Sequence, residues 1–301
     1  MINLPTGEII LVDLGPINSP VIDWLQQPAQ LKRPIAAVIL THNDADHTGA
    51  LTSLLALPRQ NFGIIYMLQD RPKADSKFVS LFRVARELEQ QKRLEIKRLE
   101  AGSAPIYQNE ILDVVLKVVH PSFSENIESA SANQTSGIIV LESCKVPVVV
   151  WPGDAHLKSI NLHLKPAAPE IMVGPHHGAP QNWDGLKSPT VVRNISPKRV
   201  YFSLGTKNQH EHPNTSYIRT LKNCGCRVTC SQITTKCDRQ ANKKNRHILK
   251  GNVLLGYPPA KSGNSCRGGM RVTIKGPILI EDSWQNIHLE RIRKLSKAKC
   301  I

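Results

Sequence analysis

The sequence predicts an α/β fold in which apolar strands alternate with helices and lead into polar loops. Short apolar runs, such as residues 35–40 and 146–150, are separated by stretches with helical spacing of apolar residues. Three of these strands run directly into loops rich in His and Asp, at residues 41–47, 153–154 and 176–177. In layered α/β proteins the strand ends gather along one edge of the sheet, where ligands bind. We therefore expect these loops to come together.

Each element follows from its local pattern. The segment GEIILVDLG predicts a strand between two turns, and Ser19 followed by Pro20 is typical of a helix start, with a helix to Leu25. Further strands are expected at residues 35–40, 63–68, 111–119, 137–141, 146–150, 170–173, 198–204 and 227–231. Further helices are expected at about residues 46–57, 75–93, 156–164 and 215–222.

Beyond residue 236 the chain is polar, with short β-like pieces at residues 252–257 and 270–280. The sequence therefore predicts one folded domain over residues 1–236 and a basic C-terminal extension over residues 237–301.

The composition excludes several classes of protein. The 301 residues are 41% hydrophobic and 21% charged, which is ordinary globular usage and excludes global disorder and collagen-like repeats. No run approaches about 18 apolar residues, so no membrane insertion is expected. The first residues lack the basic start and apolar core of a secretory signal. Seven cysteines without a dense framework favour free thiols, and hence a cytoplasmic location.

The charge is concentrated near the end of the chain. The net charge is +15, and residues 241–301 contain 13 basic and 3 acidic side chains, which leaves +10 in that segment. Such a segment suits a polyanion, and we favour nucleic acid, DNA above RNA, because each phosphate contact releases counterions. The alternative is a solvated tail that keeps the protein soluble. The candidate phosphate contacts are Lys243, Lys244, Arg246, Arg267 and Arg271.

The segment THNDADH is the strongest candidate metal site. His42 and Asp44 are two positions apart, so in an extended loop their side chains point the same way. Asp46 and His47 lie at the start of the next helix, where they can face a second point. This spacing offers one pair of ligands to each of two neighbouring divalent ions. The alternative is a surface turn with Asp46 as helix N-cap, which two His interleaved with two Asp make less favoured.

Two later loops add candidate ligands. Asp154 follows an apolar strand and could bridge two cations, although an isolated Asp in a turn is usually structural. Adjacent side chains on extended backbone point apart, so we expect one of His176 and His177 to ligate, His176 in our assignment. Catalytic roles are assigned to Asp46, His177 and His212; either His could contact a substrate phosphate or protonate the leaving group.

The motifs THNDADHTGAL, WPGDA, VGPHHGAP and the stretch from Ser203 to Pro213 resemble, in this order, those of the metallo-β-lactamase superfamily. They look closest to the branch that forms the soluble domain of the competence protein ComEC. The resemblance covers about residues 4–231. It implies a four-layered αββα sandwich with a metal site along one edge of the two sheets, and hence a hydrolase.

The resemblance also implies roles for individual residues. His42 with Asp44 would hold one metal, Asp46 with His47 the other, and Asp154 would bridge them. His176 or His177 would complete the set. Asp13 matches a structural aspartate that supports the metal loop, and Asn133 matches a polar position near the site.

Three departures from the family pattern affect these expectations. The commonest first motif has His where this chain has Asp44, and a carboxylate is a harder ligand than imidazole, which tilts the site from zinc toward manganese or magnesium. Two divalent ions are expected, manganese or zinc first and magnesium as a further option. No counterpart exists for the His that completes the first metal site in many members.

The chain also begins on the second strand of the usual opening hairpin. Either this start is internal, or the sheet edge at residues 9–12 is unpaired and a partner chain could bind there.

Together these features predict a metal-dependent hydrolase of phosphodiesters, in which two metals activate a hydroxide, and most simply a nuclease. One alternative is hydrolysis of a small ester, lactone or cyclic nucleotide, which salt would affect little. Another is a non-catalytic nucleic-acid-binding subunit on the same fold.

The cysteines at 224, 226, 230 and 237 lack paired C-x-x-C spacing, so we expect packing residues, with a structural zinc as the alternative.

Overall fold

The computed structural model describes most of the chain up to residue 238 and short pieces beyond it. The described residues are 1–57, 62–68, 76–128, 131–164, 167–179, 188–206, 209–238, 241, 266, 272–275, 278–281, 290, 292–293, 295 and 298. They form two compact units, the first made of residues 1–106 and 118–137 and the second of residues 107–117 and 138–301.

Strands and helices alternate, as predicted. The strands are β1 (Ile2–Asn3), β2 (Ile9–Val12), β3 (Ile35–Ile39), β4 (Phe62–Met67), β5 (Glu95–Arg98), β6 (Tyr107–Asn109), β7 (Val114–His120), β8 (Ile138–Ser143), β9 (Val146–Trp151), β10 (Ile171–Val173), β11 (Arg199–Phe202), β12 (Arg227–Cys230), β13 (Val272–Lys275) and β14 (Ile278–Glu281). The helices are α1 (Pro20–Leu25), α2 (Pro28–Leu31), α3 (Ala45–Thr48), α4 (Leu51–Leu55), α5 (Ser76–Gln90), α6 (Phe123–Glu128), α7 (Leu157–His163), α8 (Ser188–Ile195) and α9 (Thr215–Asn223). A short 3₁₀ turn covers Pro175–Gly178.

The first unit is built on a five-stranded sheet with the order β1-β2-β3-β4-β5. Strands β2 to β5 are parallel, so their carboxyl ends lie at the same edge. The apolar runs of β2 and β3 are almost entirely buried, as expected for parallel strands covered on both faces. This arrangement places the end of β2 and the loop after β3 side by side.

The expectation of an unpaired edge at residues 9–12 is wrong for the first part of β2. Ile2 and Asn3 pair antiparallel with Ile10 and Ile9. A tight turn in which the Gly7 amide donates to the Leu4 carbonyl brings the first residues back along the strand. The N-terminal residues therefore occupy part of the edge that was expected to be open to a partner.

The helix predicted over residues 46–57 is divided into α3 and α4 at Gly49. A Cβ at this position would lie 2.5 Å from the Ala45 carbonyl oxygen and 2.7 Å from the Ile17 amide nitrogen, so the loop after β2 approaches α3 closely. By contrast, α1 begins as predicted, with the Ser19 hydroxyl accepting from the Val21 amide. The close approach at Gly49 fixes α3 against the end of β2.

The second unit contains a seven-stranded sheet with the order β12-β11-β10-β9-β8-β7-β6, of which residues 118–120 of β7 belong to the first unit. Strands β9 to β12 are parallel, while β8 is antiparallel to β9 and β6 to β7. The loops that follow β9, β10 and β11 therefore leave the same edge of this sheet.

The predicted α/β class is confirmed, since the chain has two large sheets with intervening helices. Strands β13 and β14 form an antiparallel hairpin within the predicted piece at residues 270–280. The piece at residues 252–257 and the five candidate phosphate contacts lie outside the described residues.

The domain boundary at residue 236 and the cytoplasmic location stay predictions. Within the described part of the chain, no helix has the length and apolar character needed to cross a membrane.

Candidate metal centre

Asp13 anchors the loop that follows β3. The Thr41 amide donates to one oxygen of the Asp13 carboxylate and the Thr41 hydroxyl donates to the other, each at 2.8 Å. The two residues meet because Val12 and Ile39 are paired in the parallel sheet. Asp13 has a left-handed φ of 51°, a conformation that Asp tolerates better than most residues. It thus lies where a supporting aspartate was expected.

Asp13 also fixes the orientation of His47. The Nδ1 atom of His47 is 2.8 Å from Asp13 Oδ2. Burial raises the pKa of Asp13, but the opposing effects of His47, His42 and the Thr41 amide are larger together and hold this pKa below its ordinary value. The carboxylate is therefore ionised at neutral pH and accepts a hydrogen bond from the Nδ1–H group of His47. As a result, the lone pair of His47 is on Nε2, as a metal ligand requires.

His42 lies beside His47, with 4.0 Å between the ring centroids. The Nε2 atom of His42 is 3.8 Å from Asp44 Oδ2, and that of His47 is 3.9 Å from Asp46 Oδ2. One ligand atom from each of His42, Asp46 and His47 lies within 4.8 Å of the others. The structure thus brings both predicted pairs together and forms a three-residue group able to hold a divalent ion.

The alternative role of Asp46 as a helix cap is wrong. The N-cap of α3 is Asp44, and its side chain makes no capping hydrogen bond. The Asp46 side chain, in the first turn, is 53% exposed. The Asp44 carboxylate is therefore not used to cap α3.

Ser136 is a neighbour of His42 that the sequence did not indicate. Its Oγ is 3.5 Å from His42 Nδ1, on a segment held by a hydrogen bond from the Gly137 amide to the Thr41 carbonyl. The predicted Asn133 lies one turn earlier, where its carbonyl accepts from the Ser136 amide at 3.4 Å. Asn133 therefore belongs to the segment that carries Ser136, while the side-chain contact with His42 comes from Ser136.

In the second unit, His176 and His177 lie around Asp154, which is buried. The Nε2 atoms of His176 and His177 lie 3.5 Å and 3.9 Å from the Asp154 carboxylate. The expectation that the two rings point apart is wrong, because the backbone is not extended here: φ is 47° at His176 and 51° at His177. Left-handed backbone costs non-glycine residues about 1–2 kcal/mol each, and such strain is concentrated at functional sites.

His177 and His212 have different surroundings. His177 Nδ1 donates to the Ser203 carbonyl at 2.7 Å, which leaves the lone pair on Nε2. The His212 ring centroid lies 5.9 Å from that of His176 and 5.5 Å from that of His210. Burial, and then the neighbouring histidines His176, His210 and His177, lower the pKa of His212 to about 4. The His212 ring is therefore neutral at neutral pH, where it offers one N–H donor and one acceptor nitrogen and is a weak base.

The cysteines have the character of packing residues. Cys226, Cys230, Cys237 and Cys266 are buried, and two of them form an apolar cluster with Ile233 and Ala241. Burial, with a smaller contribution from Cys224, raises the pKa of the Cys226 thiol to about 11. Among the described residues, no candidate metal group includes a cysteine.

Replacing Asp13 by Asn is expected to weaken metal binding by about 10- to 100-fold, the usual effect of losing a residue that orients a ligand. The amide NH2 group would donate to His47 Nδ1 and move the imidazole proton to Nε2, which then cannot bind a metal. Calorimetric titration with Mn²⁺ measures the loss. Asp113→Asn, at an exposed turn, is the control and should bind as the wild type does. Equal affinity in all three proteins would contradict the role of Asp13.

The described residues thus include groups of His and Asp side chains that could hold a divalent ion. No protein-family model matches the chain. Over 233 residues, 75% of the chain, the sequence is 23% identical to ComE operon protein 3 of Bacillus subtilis (strain 168), a ComEC-related protein. The match covers 26% of that protein, so the chain spans about a quarter of the length of this relative. This match confirms the resemblance that the motifs predicted.

Two solved structures are also similar to the chain, both at low sequence identity. The metallo-β-lactamase fold protein YhfI from Bacillus subtilis has 14% identity and a TM-score of 0.43, covering 73% of this chain and 83% of its own. Igni18, a metallo hydrolase from the archaeon Ignicoccus hospitalis, has 15% identity and a TM-score of 0.37, covering 65% and 75%.

Proposed function

We propose that the chain is a metal-dependent hydrolase that cleaves phosphodiester bonds in nucleic acid, that is, a nuclease. The observation that carries the proposal is the group of His42, Asp46 and His47, whose ligand atoms lie within 4.8 Å of one another. Asp13 holds His47 in the tautomer that leaves Nε2 available. A surface turn without a metal would not need this support.

The donor set of each cluster fits a divalent ion. His42, Asp46 and His47 offer two imidazoles and one carboxylate, and the mixture of nitrogen and oxygen favours manganese or zinc over magnesium. Asp154 with His176 or His177 offers the same kinds of donor. We now favour His177 above His176 as the ligand, because the Ser203 carbonyl fixes its proton on Nδ1. That Asp154 bridges two ions stays a prediction of the resemblance.

Bound divalent ions supply Lewis acidity, which activates water and stabilises the charge that develops on the oxygens of the phosphodiester. The side chains of the protein position the reactants. The exposed carboxylate of Asp46 is placed to accept a proton from water, and neutral His212 can donate its ring N–H to a phosphate oxygen of the substrate.

The charge of the chain supports nucleic acid as the substrate. A net charge of +15, of which +10 lies in residues 241–301, attracts a polyanion and gives little advantage with an uncharged ester. The metal group and the basic segment support the proposal jointly, because either feature alone also fits other functions.

The proposal is tested by incubating the purified protein with labelled single- and double-stranded DNA and RNA in the presence of Mn²⁺, Zn²⁺ or Mg²⁺. We expect cleavage that requires a divalent ion, is strongest with Mn²⁺ on DNA, and weakens as salt rises because binding involves counterion release. A lactone, an aryl ester and a cyclic nucleotide serve as comparison substrates. Faster, salt-insensitive hydrolysis of one of these would replace the nuclease by a small-molecule hydrolase.

A further inference from the structure

A single peptide group links His177 to the strand at the edge of the seven-stranded sheet. The Ser203 carbonyl accepts a hydrogen bond from His177 Nδ1 at 2.7 Å. The amide of the same peptide group, at Leu204, donates to Ser231 Oγ at 2.9 Å. Because the peptide group is planar and trans, its C=O and N–H point in opposite directions. It therefore cannot rotate without breaking both bonds.

Ser231 is itself held in place. Its hydroxyl donates to the Leu204 carbonyl at 2.8 Å, so the same oxygen accepts from one side of Leu204 and donates to the other. Its amide donates to the Phe202 carbonyl at 2.9 Å, and its carbonyl accepts from the Cys266 amide at 3.0 Å. All the polar groups of Ser231 are thus engaged, which leaves its hydroxyl one orientation.

Gln232 extends the same contact along the loop. Its Oε1 accepts from the Thr206 amide at 2.7 Å and from the Thr206 hydroxyl at 3.0 Å. The end of β12 therefore holds residues 204–206 through two consecutive side chains. The Ser231 contact is the one that reaches the peptide group bonded to His177.

We infer that Ser231 is a positioning residue that fixes the tautomer and orientation of His177 through the Ser203–Leu204 peptide group. The Ser231 hydroxyl accepts a hydrogen bond from the Leu204 amide, which polarises this peptide group. The Ser203 carbonyl thereby becomes a stronger acceptor for His177 Nδ1–H. The His177 lone pair is then held on Nε2, which faces Asp154 at 3.9 Å. The inference rests on the proposed function for its purpose, but its test does not need catalysis.

A purely structural role for Ser231 makes a different prediction. If the hydroxyl only satisfies the backbone of Leu204, its removal would lower stability and leave the His177 ring unchanged. A positioning role instead requires that removal of the hydroxyl change the tautomer of the His177 ring. Measuring this tautomer therefore distinguishes the two roles.

The test records the ring ¹⁵N chemical shifts of His177 in the metal-free protein, at a pH where the ring is neutral. We expect the wild type to be the Nδ1–H tautomer and Ser231→Ala to show a mixture of both tautomers. Ser231→Thr, which keeps the hydroxyl, should restore the wild-type shifts. Thr229→Val is the matched control, since Thr229 is buried on the same strand and its hydroxyl has no hydrogen-bond partner among the described residues.

Mn²⁺ affinity provides a second measurement, with an expected loss of roughly tenfold in Ser231→Ala and none in Thr229→Val. Unchanged His177 shifts in Ser231→Ala, or a failure of Ser231→Thr to restore them, would overturn the inference. If Ser231→Ala does not fold, Ser231→Cys, whose thiol is a weak hydrogen-bonding group, takes its place with the same expectation. Shifts that follow the expectation in a protein without nuclease activity would uphold the positioning role and reject the proposed function.

Discussion

Replacing Asp46 by Asn is expected to lower the rate of metal-dependent hydrolysis by about 10³-fold, which corresponds to roughly 4 kcal/mol of transition-state stabilisation. The carboxylate of Asp46 forms, with one ring nitrogen each of His42 and His47, the three-residue candidate metal group, and an amide is a far weaker ligand. Since the Asp46 side chain is 53% exposed and does not cap α3, the substitution should leave the fold intact.

The effect of Asp46→Asn is measured as kcat with saturating DNA, together with the number of Mn²⁺ ions bound per chain. Asp113→Asn makes the same chemical change at an exposed turn and should retain wild-type values in both measurements. Asp154→Asn tests the predicted bridging role in the same assays. Full activity of Asp46→Asn with a normal metal count would reject the assignment of this group as the catalytic metal site.

Replacing Gly178 by Ala is expected to destabilise the protein by about 3 kcal/mol. Gly178 has a φ of 82°, and a Cβ added there would lie 2.6 Å from Pro213 Cβ and 2.8 Å from Phe202 Cε1. The left-handed conformation contributes about 1–2 kcal/mol and the overpacking about 1–3 kcal/mol. Because Phe202 is fully buried, its ring cannot move away without disturbing the core.

Gly225→Ala separates these two contributions. Gly225 has the same φ of 82°, but a Cβ at this position would meet no atom within 4 Å. Urea unfolding of the metal-free proteins should show a loss of about 1 kcal/mol for Gly225→Ala and a clearly larger loss for Gly178→Ala. Equal losses would mean that the space around Gly178 adjusts freely, against the packing described for Phe202 and Pro213.

That His42, Asp46 and His47 lie close together could be predicted from sequence because their geometry is local. His42, Asp44, Asp46 and His47 fall within six positions of one turn, so the spacing alone limits where their side chains can lie. The contribution of Asp13 needed the family resemblance, since it depends on the pairing of β2 with β3. The parallel strands other than β5 were predicted to within a few residues, because most of them are buried apolar runs, whereas β1, β5 and β6 were not predicted.

Other features depend on information that a single sequence does not carry. The charged strand β5 lacks an apolar run, and only its Ile96 is buried. The left-handed backbone at His176 and His177 cannot be read from the residue types, which rarely adopt it. Ser231 reaches Leu204 only because Phe202 and Cys230 are opposite each other in the sheet, a register that joins residues 27 positions apart.

The hydrogen bond from the Cys266 amide to the Ser231 carbonyl attaches residue 266 of the basic extension to the residue that follows β12. Through the Ser203–Leu204 peptide group, Ser231 is linked to the loop that carries His176 and His177, here called the histidine loop. In the sequence, Arg267 follows Cys266 directly and Arg271 is five positions after Cys266. A polyanion captured by these arginines would be presented to the histidine loop at high effective concentration rather than arriving by free diffusion. The covalently attached extension would then raise the local concentration of the polyanion at the histidine loop. The same segment supplied as a separate peptide would not.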